Sequence, residues 1–334
     1  MSMLTTDNLF TAAEMTDAVN KLPLMPMRLA PLFEEKSVRT TSVPLDSKKG
    51  NIVLVADSKR GTAPTPLAGA GSSRTVKVMS VPHLTQLDSV RPEDIQDVRA
   101  FGTDQPEVAA TVVAEKQKEL LDNIEMTREW HRLGAIKGVV YDADGTTVLH
   151  NLFTTFGVTK KAITITFPTS AQQANPIMEK LLEAKRHVSQ KMGGNPFSRM
   201  EAVIGANAYD KLTGHVLVRQ YFEDWLSRQQ DFGDNDYRKR GFTYGGVTWY
   251  EASEVVGGQT LVNTDKGHLY PVGPNVFKCW NAPADWMSTA NTYGLPFYSQ
   301  MTPIPGDRGF DIEVQANPLC VCTFPEALVE LTFS

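Results

Sequence analysis

Three groups of side chains in this chain have types that could do chemistry. The first is sulfur: Cys279, Cys320 and Cys322. Thiolates bind metals and form disulfides, but an odd count without framework spacing points to a reducing compartment. Cys320 and Cys322 stand two apart, so in a strand both face one side. A C-x-C pair needs two further ligands to close a tetrahedral site, and no other Cys or His lies near it. Buried thiols on one strand face is the better reading. The second group is six histidines, His83, His131, His150, His187, His215 and His268. They are scattered, and no two share the spacing that places two ligands on one helix face. The third is carboxylates. Asp142 and Asp144 invite a calcium loop, but with Gly145 at loop position 6, position 1 is Val140 and position 12 is Asn151. An Asp-Gly hairpin turn fits instead. Glu34 and Glu35 lie in extended sequence with no local reason for a shifted pKa. The phosphate loop, the nucleophile elbow and the H-E-x-x-H metal helix are all missing. Gly69 and Gly71 lack a third glycine at the dinucleotide spacing. No catalytic residue, cofactor or metal site is assigned, and the expectation is a protein that is not an enzyme.

Charge gives a different signal. Lys48 and Lys49, then Lys59 and Arg60, cluster in one segment, and Arg238, Lys239 and Arg240 follow the acidic stretch Asp231 to Asp236. Without interleaved aromatics such groups are poor single-strand nucleic-acid sites. Usually they are solvated faces; on an arm that must dock, complementary pairing with a neighbour's acidic helix is a third option. A long helix offers Glu107, Glu115, Glu119 and Asp122. These eight residues, Lys48, Lys49, Lys59, Arg60, Glu107, Glu115, Glu119 and Asp122, are the candidate inter-subunit contacts.

The elements that must position them are legible in outline. Residues 1–33 read as a short helix capped near Thr5 to Asp7 and then an apolar, Pro-rich arm. Such an arm forms no regular element of its own and must lie along a surface, this subunit's or a neighbour's. Residues 36–90 read as strands, Val38–Val43, Asn51–Ala56 and Arg74–Met79, around a Gly/Pro/Ser-rich tip at 58–73. An isolated hairpin is marginal in water, so this β-arm must lean on something. The helix from about 105 to 133 opens with a D-x-x-E capping box at Asp104 and Glu107 and ends at Gly134. Its apolar positions include Val112, Leu120 and Ile124, with Glu125, Arg128 and Glu129 on other faces. A hairpin at 138–150 follows. From about 160 the pattern becomes α/β: a strand at Ala162–Phe167, a helix opened by Asn175 and Pro176, a strand at Met200–Gly205, helices to Gln230, and a Gly-Gly hairpin at Phe242–Tyr250. Sequence to about 300 reads as irregular after a strand near 267–272. The end returns to β at 308–316, 319–324 and 328–333.

The whole chain is 334 residues, enough for roughly two domains. Hydrophobic residues are 41% and charged residues 21%, which excludes a disordered chain. Net charge is −5, which argues against a general nucleic-acid coat because phosphate binding needs a concentrated positive surface. The N-terminus lacks the basic and apolar regions of a signal peptide. No run approaches the roughly 18 apolar residues of a membrane span. The expectation is a soluble protein made in the cytoplasm.

Order and motifs together resemble a known family. The opening MSMLTTDNLFTAAE, the run Met200 to Leu212, the hairpin Phe242 to Tyr250, and above all Pro305-Gly-Asp-Arg with Phe310 to Leu319 are similar to the phage lambda major capsid protein family, which has the Hong Kong 97 fold. The resemblance implies an α+β capsid fold: an N-terminal arm (1–35), an extended β-loop (36–90), a peripheral domain with a spine helix (91–159 and 301–334) and an axial α/β domain (160–300). It implies a virion protein that self-assembles into hexamers and pentamers of an icosahedral head around double-stranded DNA, without sequence-specific binding. It also implies scaffold, portal and decoration-protein partners. The alternatives are an encapsulin-like compartment shell, distinguished by a cargo enzyme in place of DNA, and an α/β hydrolase.

Overall fold

The computed structural model describes residues 11–22, 27–48, 74–96, 109–168, 175–228, 237–256 and 258–334. Along the chain the elements are α1 (Ala12–Lys21), β1 (Phe33–Ser37), β2 (Ser42–Lys48), β3 (Arg74–Ser80), β4 (Leu84–Val90), α2 (Ala109–Lys137), β5 (Val139–Tyr141), β6 (Val148–Asn151), α3 (Leu152–Phe156), β7 (Lys161–Ile165), α4 (Pro176–Lys191) and β8 (Arg199–Ile204). Then come α5 (Ala206–Gly214), α6 (Val216–Ser227), α7 (Tyr237–Arg240), β9 (Phe242–Tyr244), β10 (Val247–Glu251), β11 (Val255–Val256), β12 (Gln259–Thr260), β13 (Lys266–Val272), β14 (Phe277–Asn281), β15 (Tyr298–Pro303), β16 (Phe310–Ala316), β17 (Pro318–Cys322) and β18 (Val329–Phe333).

The chain divides into two compact units. One comprises Met1–Val43, Val78–Arg132 and Lys278–Cys320. The other comprises Pro44–Lys77, Leu133–Phe277 and Val321–Ser334.

In the first unit, α1 begins at Thr11, whose hydroxyl accepts the Glu14 amide while the Glu14 carboxylate accepts the Thr11 amide. This reciprocal cap satisfies two otherwise orphaned donors. Met15 and Val19 then bury against Leu121 and Ile124 of α2, Ile312 and Val314 of β16, and Phe297. Thr16 donates to the Ser299 carbonyl at 3.2 Å and Asn20 to the Phe297 carbonyl at 2.9 Å. The N-terminal helix therefore lies on its own subunit's core, and its cap is Thr11, later than the 5–7 position the sequence offered. β16 is the middle strand of an antiparallel sheet in the order β15-β16-β4, with Val90 opposite Phe310 and Gln315 opposite Tyr298. A second sheet runs β1-β14-β17.

In the second unit, a six-stranded mixed sheet has the order β7-β18-β13-β8-β10-β9. β18 is parallel to β7, β10 is parallel to β8, and β13 is antiparallel to both its neighbours. The strand β8 is buried at five successive positions, four apolar and one the buried Glu201, as expected of a strand covered on both faces. Asn175 caps α4 through the Met178 amide, and Ile177, Leu181, Ala184 and Val188 form its buried stripe.

Several expectations need correction. The strand read as Val38–Val43 begins at Ser42 and runs to Lys48. β4 leaves the β-arm and pairs with β16, so the two-stranded sheet consists of β2 and β3 alone. The stretch expected to be irregular to about 300 contains β14 and the start of β15. The last strand, β18, sits between β7 and β13 in the second unit's sheet. The long helix passes through Gly134 and stops before Gly138, whose φ is +81°. Position 138 needs glycine twice over, because a Cβ there would also meet the Phe153 ring at 2.3 Å. The expected capping box at Asp104 and Glu107 and the strand at 51–56 lie outside the described residues.

Candidate assembly surfaces

The eight residues expected to make inter-subunit contacts are unevenly placed. Lys49, Lys59, Arg60 and Glu107 lie outside the described residues, as does the side chain of Lys48 at the end of β2. Glu115 and Glu119 are exposed one turn apart on the first half of α2. Asp122 is only half-buried, a turn further on. Lys116, between them, turns inward, donating to the Ser89 carbonyl at 2.6 Å and lying 3.2 Å from Asp94 and 3.5 Å from Asp88. That fixes α2 to the end of β4 and leaves the acidic pair facing outward. Beyond Asn123 no residue of α2 is fully exposed, and residues 131–136 are all buried. The outward stripe of the helix is therefore confined to its first half.

The charged residues in the second half form a cluster, of which sequence reasoning placed Glu125, Arg128 and Glu129 only on faces other than the apolar one. Arg128, only 1% exposed, donates to Glu125 at 3.0 Å and to Glu35 of β1 at 2.8 Å. Arg132 reaches Glu125 at 2.7 Å and Glu129 at 3.1 Å. Glu129 accepts the Leu29 amide at 2.7 Å, tying the segment before β1 to the helix. Burial raises the Glu129 carboxyl above its usual value, against the opposing Leu29 and Arg132 contacts. Burial also opposes the Arg128 charge, but Cys279, Glu125 and Glu35 together hold the guanidinium firmly protonated. The Arg128 guanidinium also lies 4.7 Å from the Phe297 ring centre, within cation–π range. The signal was available: Glu125, Arg128 and Arg132 stand at i, i+3 and i+7, one helix face. A charged stripe at that spacing normally reads as solvated, which is why it was missed.

Apolar surface is exposed in both units. In the second, α6 buries fully only Val218, while Val216 (66%) and Tyr221 (63%) remain largely exposed. Its inner side is aromatic: Phe222 meets Phe242 edge-on at 5.2 Å and Trp225 meets Phe242 at 5.8 Å, while the largely exposed Tyr221 reaches Tyr244 at 5.7 Å. Both Phe242 and Tyr244 belong to β9, the edge strand of the six-stranded sheet. Edge-to-face ring pairs of this kind hold a helix at a fixed distance from a strand. In the first unit, Met287 is 95% exposed, and Tyr293 and Leu295 follow it on one loop. That loop is held by Thr289, which donates to the Ala284 and Trp286 carbonyls, and by Arg39 stacked 4.1 Å from the Tyr293 ring centre. Rigid loops and helices presenting apolar side chains are what a permanent protein–protein contact uses.

Among the described residues no group of three or more His, Cys, Asp or Glu side chains could hold a metal ion. The Asp144 carboxylate is taken up by Thr146 and Thr147, which hold it well below the usual carboxylate range. No described helix is long and apolar enough to cross a membrane.

Comparison with known proteins places these surfaces in context. The family model described as phage major capsid protein E matches residues 11–333. The major capsid protein of Salmonella phage Felix O1 is 25% identical over 365 aligned residues, covering 96% of each chain. Two solved phage capsids share the fold: bacteriophage PhiM1, with a TM-score of 0.51, 11% identity and coverage of 100% of this chain and 92% of that one, and Ralstonia phage GP4, with 0.53, 10%, 90% and 87%.

Proposed function

The chain belongs to the phage major capsid protein E family, and on that premise we propose how it builds a phage head. It is a structural shell subunit and a virion component with the Hong Kong 97-like fold. Copies associate as hexamers and pentamers into a closed shell around double-stranded DNA. The first unit acts as the peripheral domain along α2, and the second as the axial domain around each capsomer centre. The hairpin of β2 and β3 lies over a neighbouring subunit. Its Lys48, Lys49, Lys59 and Arg60 face an acidic stripe made by Glu107, Glu115, Glu119 and Asp122 of that neighbour. Scaffold, portal and decoration proteins are the further partners. A net charge of −5 suits a container that must hold DNA without gripping phosphate.

The observation that carries the arm assignment is the sheet arrangement. β2 and β3 pair only with each other among the described strands, and Val78 on β3 is 67% exposed. A two-stranded ribbon gains stability by burying such apolar surface on another molecule. Many modest contacts of this kind, made together around a closed shell, add up steeply.

The test replaces residues 44–77 by a short Gly-Ser linker, which spares β4 and its pairing to β16. The purified protein is then examined by electron microscopy and by hydrogen exchange. The expected outcome is protected amides in both units and no shells. Closed shells from the truncated chain would overturn the arm assignment.

A further inference from the structure

Two of the three thiols are placed to react with each other. The Ala282 amide donates to the Asn317 carbonyl and the Thr323 amide to the Val276 carbonyl, both at 2.9 Å. Counting inward from both bonds puts Cys279 of β14 directly opposite Cys320 of β17, at a pair that exchanges no backbone hydrogen bonds. In antiparallel sheets such pairs bring their Cα atoms to about 4.5 Å and their side chains closest together. Disulfides span Cα separations of about 4.4–6.8 Å. The two Sγ atoms are 3.0 Å apart, with the Cys320 thiol donating to Cys279, and both residues are buried. Cys322 lies on the same strand face but two residues along. All three are free thiols.

We propose that Cys279 and Cys320 are an oxidisable dithiol that closes, on exposure to peroxide, into an intrachain disulfide stapling β14 to β17. The route uses ordinary thiol chemistry. The Cys279 sulfur attacks one peroxide oxygen, the O–O bond breaks, and Cys279 becomes a sulfenic acid while hydroxide leaves and takes the thiol proton as water. The Cys320 sulfur then attacks the sulfenic sulfur, the S–S bond forms, and the sulfenic oxygen leaves as a second water. The two sulfurs lose two electrons and the peroxide gains them.

Polarity of the pair follows from its surroundings. The hydrogen bond from Cys320 holds the Cys279 thiol below its usual value, helped by the Arg128 and Arg132 guanidiniums against burial. The same contact, with burial, raises Cys320. Burial pushes the Cys322 thiol up to about 12, and its place two residues along β17 sets it out of register with Cys279. Both thiols are buried, so reaction requires peroxide to arrive through local opening at β17, an edge strand of its three-stranded sheet that is buried along its length. The proposal concerns the chain itself and stands or falls independently of how it assembles.

The test treats native full-length protein with hydrogen peroxide, denatures it, blocks remaining thiols with iodoacetamide and weighs the intact chain. The expected product carries one alkyl group in place of three, on Cys322, and a digest yields a dithiothreitol-reversible peptide pair joining Cys279 to Cys320. The Cys322→Ser chain should behave identically apart from carrying no alkyl group. The Cys320→Ser chain should stop at a Cys279 sulfenic acid that dimedone traps. Three alkyl groups after oxidation, a bond that uses Cys322, or a disulfide between chains would each overturn the assignment, and the unmodified chain alone decides it if Cys320→Ser does not fold.

Discussion

Arg128 on α2 and Glu35 on β1 are separated by 93 positions, yet meet at 2.8 Å with the arginine almost wholly buried. The pair belongs to a cluster in which Arg128 and Arg132 share Glu125. Buried ion pairs are weak net stabilisers when intact, because desolvation offsets attraction. Breaking one is different, since the remaining charge keeps its desolvation cost and loses its partner.

Arg128→Met should therefore destabilise the unassembled subunit by about 3–5 kcal/mol. Glu35→Gln should cost less, because Glu35 is 41% exposed and water takes up part of the loss. Urea unfolding of the two variants checks the order. Equal midpoints for Arg128→Met and the unmodified chain would show the cluster to be energetically idle.

His268 gives the second unit a pH dependence. It sits on β13 opposite Glu330 of β18, with Lys137, Lys160 and Lys266 also bearing on it. Burial, then the Lys137 ammonium, push the imidazole down to about 3. The unfolded chain's histidine titrates near 6.5. Between those values the unfolded state binds more protons, so stability rises with pH. The contribution is complete above about pH 6.5 and is lost as pH falls towards 3. Scanning calorimetry from pH 7 to 4 should show a falling Tm that is flatter in His268→Gln. An identical slope in the variant would assign the acid sensitivity elsewhere.

Gly134 separates what the sequence states from what only the fold reveals. Read along the chain, a glycine after a long amphipathic run is a helix stop. In the structure the helix continues, and a Cβ at 134 would lie 2.8 Å from the Val140 Cα. Its glycine permits the close approach of β5. In an exposed helix interior, Gly→Ala stabilises by about 1 kcal/mol. Here Gly134→Ala should destabilise instead, because the atom it meets is backbone and cannot turn aside. A raised Tm for this variant would restore the simpler reading.

The same division runs through the rest of the molecule. Elements with their own local signals were legible: the Asn175 cap of α4, the Gly-Gly turn between β9 and β10, the Asp-Gly turn between β5 and β6. The segment Phe277-Lys-Cys-Trp-Asn281 alternates buried and half-buried as a strand should. Its neighbours Pro271, Gly273, Pro274 and Asn275 hid that alternation. Strand order was not legible, because β18 reaches its place between β7 and β13 through pairings to residues far away in sequence. Surface was the least legible. The outward Glu115 and inward Glu125 are both glutamates on one helix, and only the packing of β1 and β14 distinguishes them.

The charge contact between neighbours can be tested by reversal and rescue. Glu115 and Glu119 are exposed, and replacing them by lysine breaks no ion pair among the described residues. Glu and Lys have similar helix propensity, so α2 itself should be unaffected. If the hairpin's Lys48, Lys49, Lys59 and Arg60 face these glutamates in an adjacent subunit, Glu115→Lys with Glu119→Lys should block shell formation while leaving the subunit's Tm unchanged. Reversing the four basic residues to glutamate should block it equally. Combining both sets should restore shells in part, since the pairing is re-formed with opposite sign at two of the four acidic positions. Charges at an exposed contact act over a Debye length of about 8 Å at physiological salt and about 3 Å at 1 M. The single-set defects should therefore shrink as salt is raised, whereas a defect from misfolding would not. Assembly is read by light scattering and electron microscopy across a salt series. Failure of the combined variant to assemble, with both units folded, would separate these two charge clusters and leave the apolar surface of α6 as the stronger candidate contact.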